Sequence, residues 1–186
     1  MALGMRLVLA DRDGVLNEDR SDYVKSPDEL VMIPGAAAAV ARLNQANIRI
    51  AVCTNQSAIG RGIIAPAMLA RIHAHLAEAL AREGAHLDAI FVCPDPPGVP
   101  SRCRKPAPGM LIDALARFSA SAADTPFIGD QLRDLEAAAA IGCPRHLVRT
   151  GQGARTQARG FAPGVLPVRV HEDLAAAVAA LLGDAP

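Results

Sequence analysis

The chain has 186 residues, 51% of them hydrophobic, enough to bury a sizeable core in one domain spanning 1–186. Nineteen basic and 19 acidic side chains balance to a net charge of zero, which argues against a generic polyanion-binding surface. With no Trp, one Tyr and four Phe there is no base-stacking platform, so nucleic acid is not an expected partner. Arg6 and Asp11 interrupt the only apolar run near the amino end, so neither a signal peptide nor a membrane span is expected. Four cysteines make no disulfide framework in a chain of this length, and the expectation is a cytoplasmic protein with reduced thiols.

Leu7 to Ala10 reads as a buried strand of a parallel sheet. It ends in Asp11-Arg12-Asp13-Gly14, two carboxylates at i and i+2 followed by a residue that permits a sharp turn. Carboxylates so close repel, and a cation between them is the natural compensation. No further Asp or Asn follows at the spacing of a calcium loop. After a polar loop, Pro34-Gly35 introduces an alanine-rich helix over 36–46, and Ile48 to Cys53 is a second buried strand ending in Thr54-Asn55-Gln56-Ser57. A loop with Gly60 and Gly62 leads to a helix from Pro66 to about Arg82. Leu87 to Cys93 is the third strand, and five prolines between Pro94 and Pro106 exclude regular structure after it. A helix over 108–118, a strand over 125–128 ending in Gly129-Asp130, a helix over 132–141 and a strand over 146–149 follow. A Gly- and Arg-rich loop over 150–167, with the arginines of 149–159 read as a mobile solvated stretch in preference to an anion-binding flap, precedes a last short strand at 168–170 and a helix over 173–182.

The alternation βαβαβαβαβ predicts an α/β doubly wound parallel sheet with helices on both faces. His73 and His75, at i and i+2 on a helix, do not share a face and read as surface positions. Cys53 reads as core, and Cys143 has no base motif beside it.

Four strand ends carry residues that suit one reaction. Asp11 and Asp13 come from the first strand, Thr54 from the second, Arg104-Lys105-Pro106 from the loop after the third, and Gly129-Asp130 from the fourth, with Asp134 one turn on. A carboxylate attacking phosphorus needs a metal and a cation to offset the charge of the transition state, and this set supplies places for both. Singly, each piece is ordinary: Thr54 as a strand-end hydroxyl, Arg104-Lys105 as a solvated basic pair, Asp130 as a helix cap, Asp134 as a surface carboxylate. The ordered set is far more specific than any member.

Asp11-Arg12-Asp13-Gly14, Thr54-Asn55-Gln56-Ser57, Cys103-Arg104-Lys105-Pro106 and Gly129-Asp130 resemble the four motifs of the haloacid dehalogenase superfamily phosphatases. Their spelling is similar to the branch of heptose-1,7-bisphosphate 7-phosphatases and histidinol-phosphate phosphatases, as are Tyr23-Val24, Pro34-Gly35, Gly60-Arg61-Gly62 and Cys93-Pro94. The resemblance runs from about residue 6 to 150. It implies a HAD-like Rossmannoid fold and a magnesium-dependent phosphatase acting on a small phosphorylated metabolite, a sugar bisphosphate before histidinol phosphate. It implies that Asp11 is the nucleophile and that Asp13 is the general acid and base. Thr54 and Lys105 would hold the phosphoryl group. Asp11, the backbone carbonyl of Asp13 and Asp130 would bind magnesium. Asp19, Tyr23, Asn55, Gln56, Ser57, Arg61, Arg104 and Gln131 would face the substrate. The stretch between Asp13 and Thr54 is too short for a large cap domain, so the site should be open.

Two departures stand out. Family members often carry Lys where this chain has Gln131. Relatives also carry a zinc loop, Cys-x-His and then Cys-x-Cys before Arg-Lys-Pro. Here the corresponding positions are Cys93, Asp95, Ser101 and Cys103, two of them changed, so the zinc site is expected to be empty. A Cys93–Cys103 disulfide fits the spacing but is disfavoured by the expected cytoplasmic setting.

Overall fold

The computed structural model describes residues 5–184, and residues 1–4 of the amino-terminal stretch considered above lie outside them. Six parallel strands form one sheet: β1 (Leu7–Ala10), β2 (Arg49–Asn55), β3 (Ala89–Cys93), β4 (Phe127–Gly129), β5 (Arg145–Val148) and β6 (Val168–His171). Seven α-helices connect them: α1 (Ala36–Gln45), α2 (Ser57–Gly60), α3 (Pro66–Ala81), α4 (Gly109–Phe118), α5 (Leu132–Ala140), α6 (Gly153–Arg159) and α7 (Leu174–Leu182). The doubly wound parallel sheet expected from the sequence is present. Strand boundaries differ from the expected ones by at most two residues.

The strand order is β3-β2-β1-β4-β5-β6. The chain winds outward in one direction from β1 and in the other from β4. The switch point therefore lies between β1 and β4, and in such sheets the crevice outside the strand carboxyl ends there is the binding place. Leu9 pairs with Ala51 on one side and with Phe127 on the other, so β1 is central. All four residues of β1 are buried.

Alternate side chains serve opposite faces. Val8, Ala10, Ile50, Val52 and Ile128 pack on the side of α1, α3 and α7. Leu7, Leu9, Ala51, Cys53 and Phe127 pack against α4 and α5. Both faces being covered explains why the strands read as apolar runs rather than alternating patterns. Between Asp13 and Thr54 the described residues hold a short 3-10 helix at Pro27–Glu29, α1 and most of β2, and no cap is inserted. Among the described residues no helix is long and apolar enough to cross a membrane.

Three expectations need correction. The 150–167 stretch is not a solvated loop: it contains α6 and a 3-10 helix at Pro163–Val165. It is anchored because Thr156 Oγ1 donates to the Asp130 carbonyl at 2.9 Å and the Gln152 N–H donates to Asp130 Oδ2 at 2.8 Å. His73 is not a free surface residue, since its Nε2 lies 3.2 Å from a guanidinium nitrogen of Arg12. Cys93 and Cys103 are joined in a disulfide, with Cα atoms 5.4 Å apart. The proline-rich loop folds back on the end of β3 and brings the pair within the bridging range. Cys53 and Cys143 are free and fully buried.

Candidate active site

Asp11 follows the last residue of β1, and its N–H donates to the Ile128 carbonyl at 2.9 Å, so the turn begins as a continuation of the ladder. Gly14 then takes φ +79°, and a Cβ there would collide with the Asp130 carboxylate. Gly151, at φ +57°, meets the same carboxylate from the other side. The two glycines let backbone close around Asp130, and a side chain at either would be both strained and obstructed. Thr150 ties the two segments together by donating to the Gly14 carbonyl at 2.6 Å.

Lys105 sits at the centre of the floor and is fully buried. Its Nζ lies 2.8 Å from Asp11 Oδ2 and 2.7 Å from Asp134 Oδ1. Burial works against the ammonium charge, but Asp11 and Asp134 outweigh it and push its pKa up to about 12. Its backbone is held by Asn55, whose side-chain amide donates to the Lys105 carbonyl at 3.1 Å and whose Oδ1 accepts from the Lys105 N–H at 3.1 Å. Asp134 is wholly buried rather than a surface helical carboxylate, because its Oδ2 also accepts from the N–H groups of Asp130 and Gln131 at 3.2 and 3.0 Å.

Asp13 is held by three neighbours. Arg12 grips it with Nη2 at 2.8 and 3.0 Å from its two oxygens, Asn17 Nδ2 donates at 2.9 Å, and Gln56 Nε2 donates at 2.8 Å. Burial opposes ionisation of Asp13, but the Arg12 charge and these hydrogen bonds outweigh it and hold the carboxyl below its usual range. Gln56 Nε2 also lies 2.9 Å from Thr54 Oγ1, so one side chain links Asp13 to the threonine.

Asp11, Asp130 and Asp134 each place an oxygen within 4.8 Å of the others. Asp130 Oδ1 is buried without a hydrogen-bond partner. Burial, then Asp134 and Asp11, pushes the Asp130 pKa up to about 9. Burial likewise raises Asp11 to about 6 in spite of Lys105. Crowded, desolvated oxygens with one orphaned acceptor fit a small hard cation, whose charge makes every one of these carboxylates easier to ionise.

Above this floor is a cavity of about 380 Å³. Of the residues expected at the site, Asp11, Asp13, Asp19, Tyr23, Thr54, Asn55, Gln56, Ser57, Arg104 and Gln131 line it. Lys105 and Asp130 lie buried beneath it. Arg61 is exposed and is not part of the lining. Tyr23 and Ser57 meet at 3.4 Å across the rim. The structure adds Arg12, Arg133 and Gln152, which the sequence reading did not single out. Gln152 Nε2 donates to Asp19 at 3.1 Å, so the segment read as a loop closes one wall.

A family model for haloacid dehalogenase-like hydrolases matches residues 3–142, three quarters of the chain. The chain belongs to that family. A D-glycero-beta-D-manno-heptose-1,7-bisphosphate 7-phosphatase from Bordetella bronchiseptica is 47% identical over 181 residues, covering 97% of this chain and all of the relative. One from Pseudomonas aeruginosa is 43% identical over 95% of this chain and 97% of its own length. Among solved structures, the B. bronchiseptica D,D-heptose 1,7-bisphosphate phosphatase complexed with magnesium and phosphate superposes with a TM-score of 0.92. It matches 97% of this chain and 100% of its own at 47% identity. The Burkholderia thailandensis counterpart gives 0.76 at 42% identity, covering 96% and 99%. The α/β hydrolase fold expected from the sequence is thus that of this family.

The four positions compared with the zinc loop also converge. Asp95 Oδ2 lies 3.7 Å from Cys93 Sγ and 3.5 Å from Cys103 Sγ, and Ser101 Oγ lies 3.5 and 3.4 Å from the same sulfurs. With the sulfurs bridged, neither is available as a thiolate ligand.

Proposed function

We propose that this chain is a magnesium-dependent phosphatase that removes the 7-phosphate of D-glycero-D-manno-heptose 1,7-bisphosphate through an aspartyl-phosphate on Asp11. What carries the reading is the single cluster in which Asp11, Lys105 and Asp130 meet at the switch point beneath the cavity. The full-length similarity to the Bordetella and Pseudomonas enzymes supports the choice of substrate.

In this reading a carboxylate oxygen of Asp11 attacks phosphorus, and the leaving sugar oxygen takes a proton from Asp13. Asp13 rests ionised in its grip by Arg12, and the arrival of a phosphate dianion beside it raises its proton affinity. Asp13 then takes a proton from the water that opens the aspartyl-phosphate. Thr54 and Lys105 hold the phosphoryl oxygens, the lysine already placed by Asn55. Magnesium, held by Asp11, the Asp13 carbonyl and Asp130, offsets charge on the attacking and phosphoryl oxygens. Asp19, Tyr23, Gln56, Ser57, Arg104 and Gln131 serve the sugar side. One catalytic domain spans 1–186, and it acts in the cytoplasm on a small phosphorylated metabolite, without nucleic acid as a partner. The balanced charge and few aromatics support that last point.

The test is phosphate release from heptose 1,7-bisphosphate, the heptose monophosphates and histidinol phosphate with magnesium. The highest kcat/KM is expected on the bisphosphate, and EDTA should abolish turnover until magnesium is restored. A higher kcat/KM on histidinol phosphate would move the chain to that activity, and full turnover in chelator would contradict the mechanism.

A further inference from the structure

The site has two anionic ends to satisfy if its substrate is a bisphosphate, and the floor accounts for only one. Four arginines line the cavity: Arg12, Arg20, Arg104 and Arg133. Arg12 is bound to Asp13, and Arg20 is paired with Asp22 and Glu29. Arg104 donates to the neutral carbonyl of Asp95 at 2.9 Å and has no carboxylate partner among the described residues. The Arg133 side chain has no ion pair or hydrogen bond among the described residues, and its Nε is buried.

A buried donor on a charged group without an acceptor is costly, and native structures leave few of them without reason. Arg133 is the second residue of α5, one turn beyond Asp130, so the helix that begins at the cation site carries it to the cavity wall. It lines this cavity and also a neighbouring one of about 220 Å³, whose lining holds Arg155 and Arg159 and no carboxylate. The charge of Arg133 is felt at Arg104, where burial first and then Arg133 press the guanidinium below its usual range. Two guanidinium groups that repel across an open cavity fit a doubly charged oxyanion between them, which each can meet with paired N–H donors. Gln131, at the position where relatives carry a lysine, offers no charge.

We propose that Arg133, together with Arg104, receives the second phosphate of the substrate, the one not transferred, and so sets the preference for bisphosphates over monophosphates. This rests on the bisphosphate reading above. The cation missing at 131 is supplied from 133, two residues further along the same segment.

The experiment compares wild type, Arg133→Gln and Arg133→Lys on heptose 1,7-bisphosphate and on heptose 7-phosphate, with melting temperatures to verify folding. The readout is the ratio of kcat/KM between the two substrates. Arg133→Gln is expected to lower that ratio by about 10- to 100-fold, chiefly through KM on the bisphosphate, as loss of a charge-assisted contact predicts. Arg133→Lys should recover part of it. A wild-type preference for the bisphosphate that survives Arg133→Gln unchanged, or an equal loss on both substrates, overturns the role of Arg133 and leaves the bisphosphate reading standing. A wild type that shows no preference for the bisphosphate overturns both.

Discussion

Lys105 Nζ stands 2.8 Å from Asp11 and 2.7 Å from Asp134, all three side chains being sealed from solvent or nearly so. One cation thus neutralises a carboxylate at the end of β1 and another in the first turn of α5, and it holds the two halves of the switch point together. Removing it leaves two buried carboxylates unpaired beside Asp130. Lys105→Ala is expected to destabilise the fold by about 3–5 kcal/mol. It should also reduce kcat by a factor of about 10²–10³ where the protein still folds. Denaturant unfolding and steady-state kinetics at saturating magnesium measure the two effects; a stable, active variant would show the pair to be incidental.

The nucleophile separates from the fold more cleanly. Asp11 is buried and its carboxylate is disfavoured by that burial, so its amide should fit the same place. Asp11→Asn is expected to melt at or above the wild-type temperature while losing several orders of magnitude in turnover. More than about a tenth of wild-type activity in a clean preparation would remove Asp11 from its role.

The metal-free protein should report its own empty charge balance. Asp130 has a folded pKa near 9 against an ordinary value of 3.8, so over the intervening range the folded state binds the proton that the unfolded state has released. The contribution of that proton to stability therefore falls as pH rises through that range and is gone above the folded pKa. Below about pH 6.5 the buried histidines act in the opposite sense, His73 being pushed down to about 4 and His146 to about 3, both by burial first. Between pH 6.5 and 9 Asp130 stands alone, and melting temperature in EDTA should decline. Magnesium, or Asp130→Asn, should flatten that decline, and a slope that neither alters would show that Asp130 is not the titrating group.

The strands were legible because both faces of the sheet are covered, leaving apolar runs cut by Gly, Pro or Asp. The floor of the site was legible because its residues stand directly at those cuts. What escaped were residues whose partners are distant in sequence. Asp134 looks like a surface carboxylate until Lys105 is placed beside it. Gln152 and Thr156 sit in a Gly- and Arg-rich stretch whose anchors are both on Asp130. His73 meets Arg12 across 61 residues, which no local spacing announces.

That last contact has a consequence for Asp13. Burial keeps His73 neutral, so its Nε2 accepts from Arg12 while Arg12 grips Asp13. His73→Leu should leave a buried guanidinium N–H without an acceptor, at a cost of about 1–3 kcal/mol in stability. Turnover should fall more on the sugar phosphate than on p-nitrophenyl phosphate, whose leaving group needs little help from a proton. His73→Gln, which keeps an acceptor, should restore part of the difference. Equal losses on both substrates would mean that His73 supports the fold and not the placement of Asp13.

Zinc and the disulfide exclude one another at the loop before Lys105. Structural zinc takes four ligands, usually thiolate or imidazole, and a bridged pair of cysteines offers no thiolate. Reduced, Cys93 and Cys103 still have only Asp95 as a third candidate, with the Ser101 hydroxyl where relatives have a thiolate. Prolines at 94, 96, 97 and 100 restrict the unfolded loop and supply part of the order that a metal gives elsewhere. Protein purified without chelator, reductant or histidine tag should therefore contain far less than one zinc per chain. Under denaturing conditions it should titrate two free thiols, Cys53 and Cys143, rising to four after reduction. Zinc close to one per chain, lost in the Cys93→Ser, Cys103→Ser double variant, would instead make this loop a working metal site of three protein ligands and water.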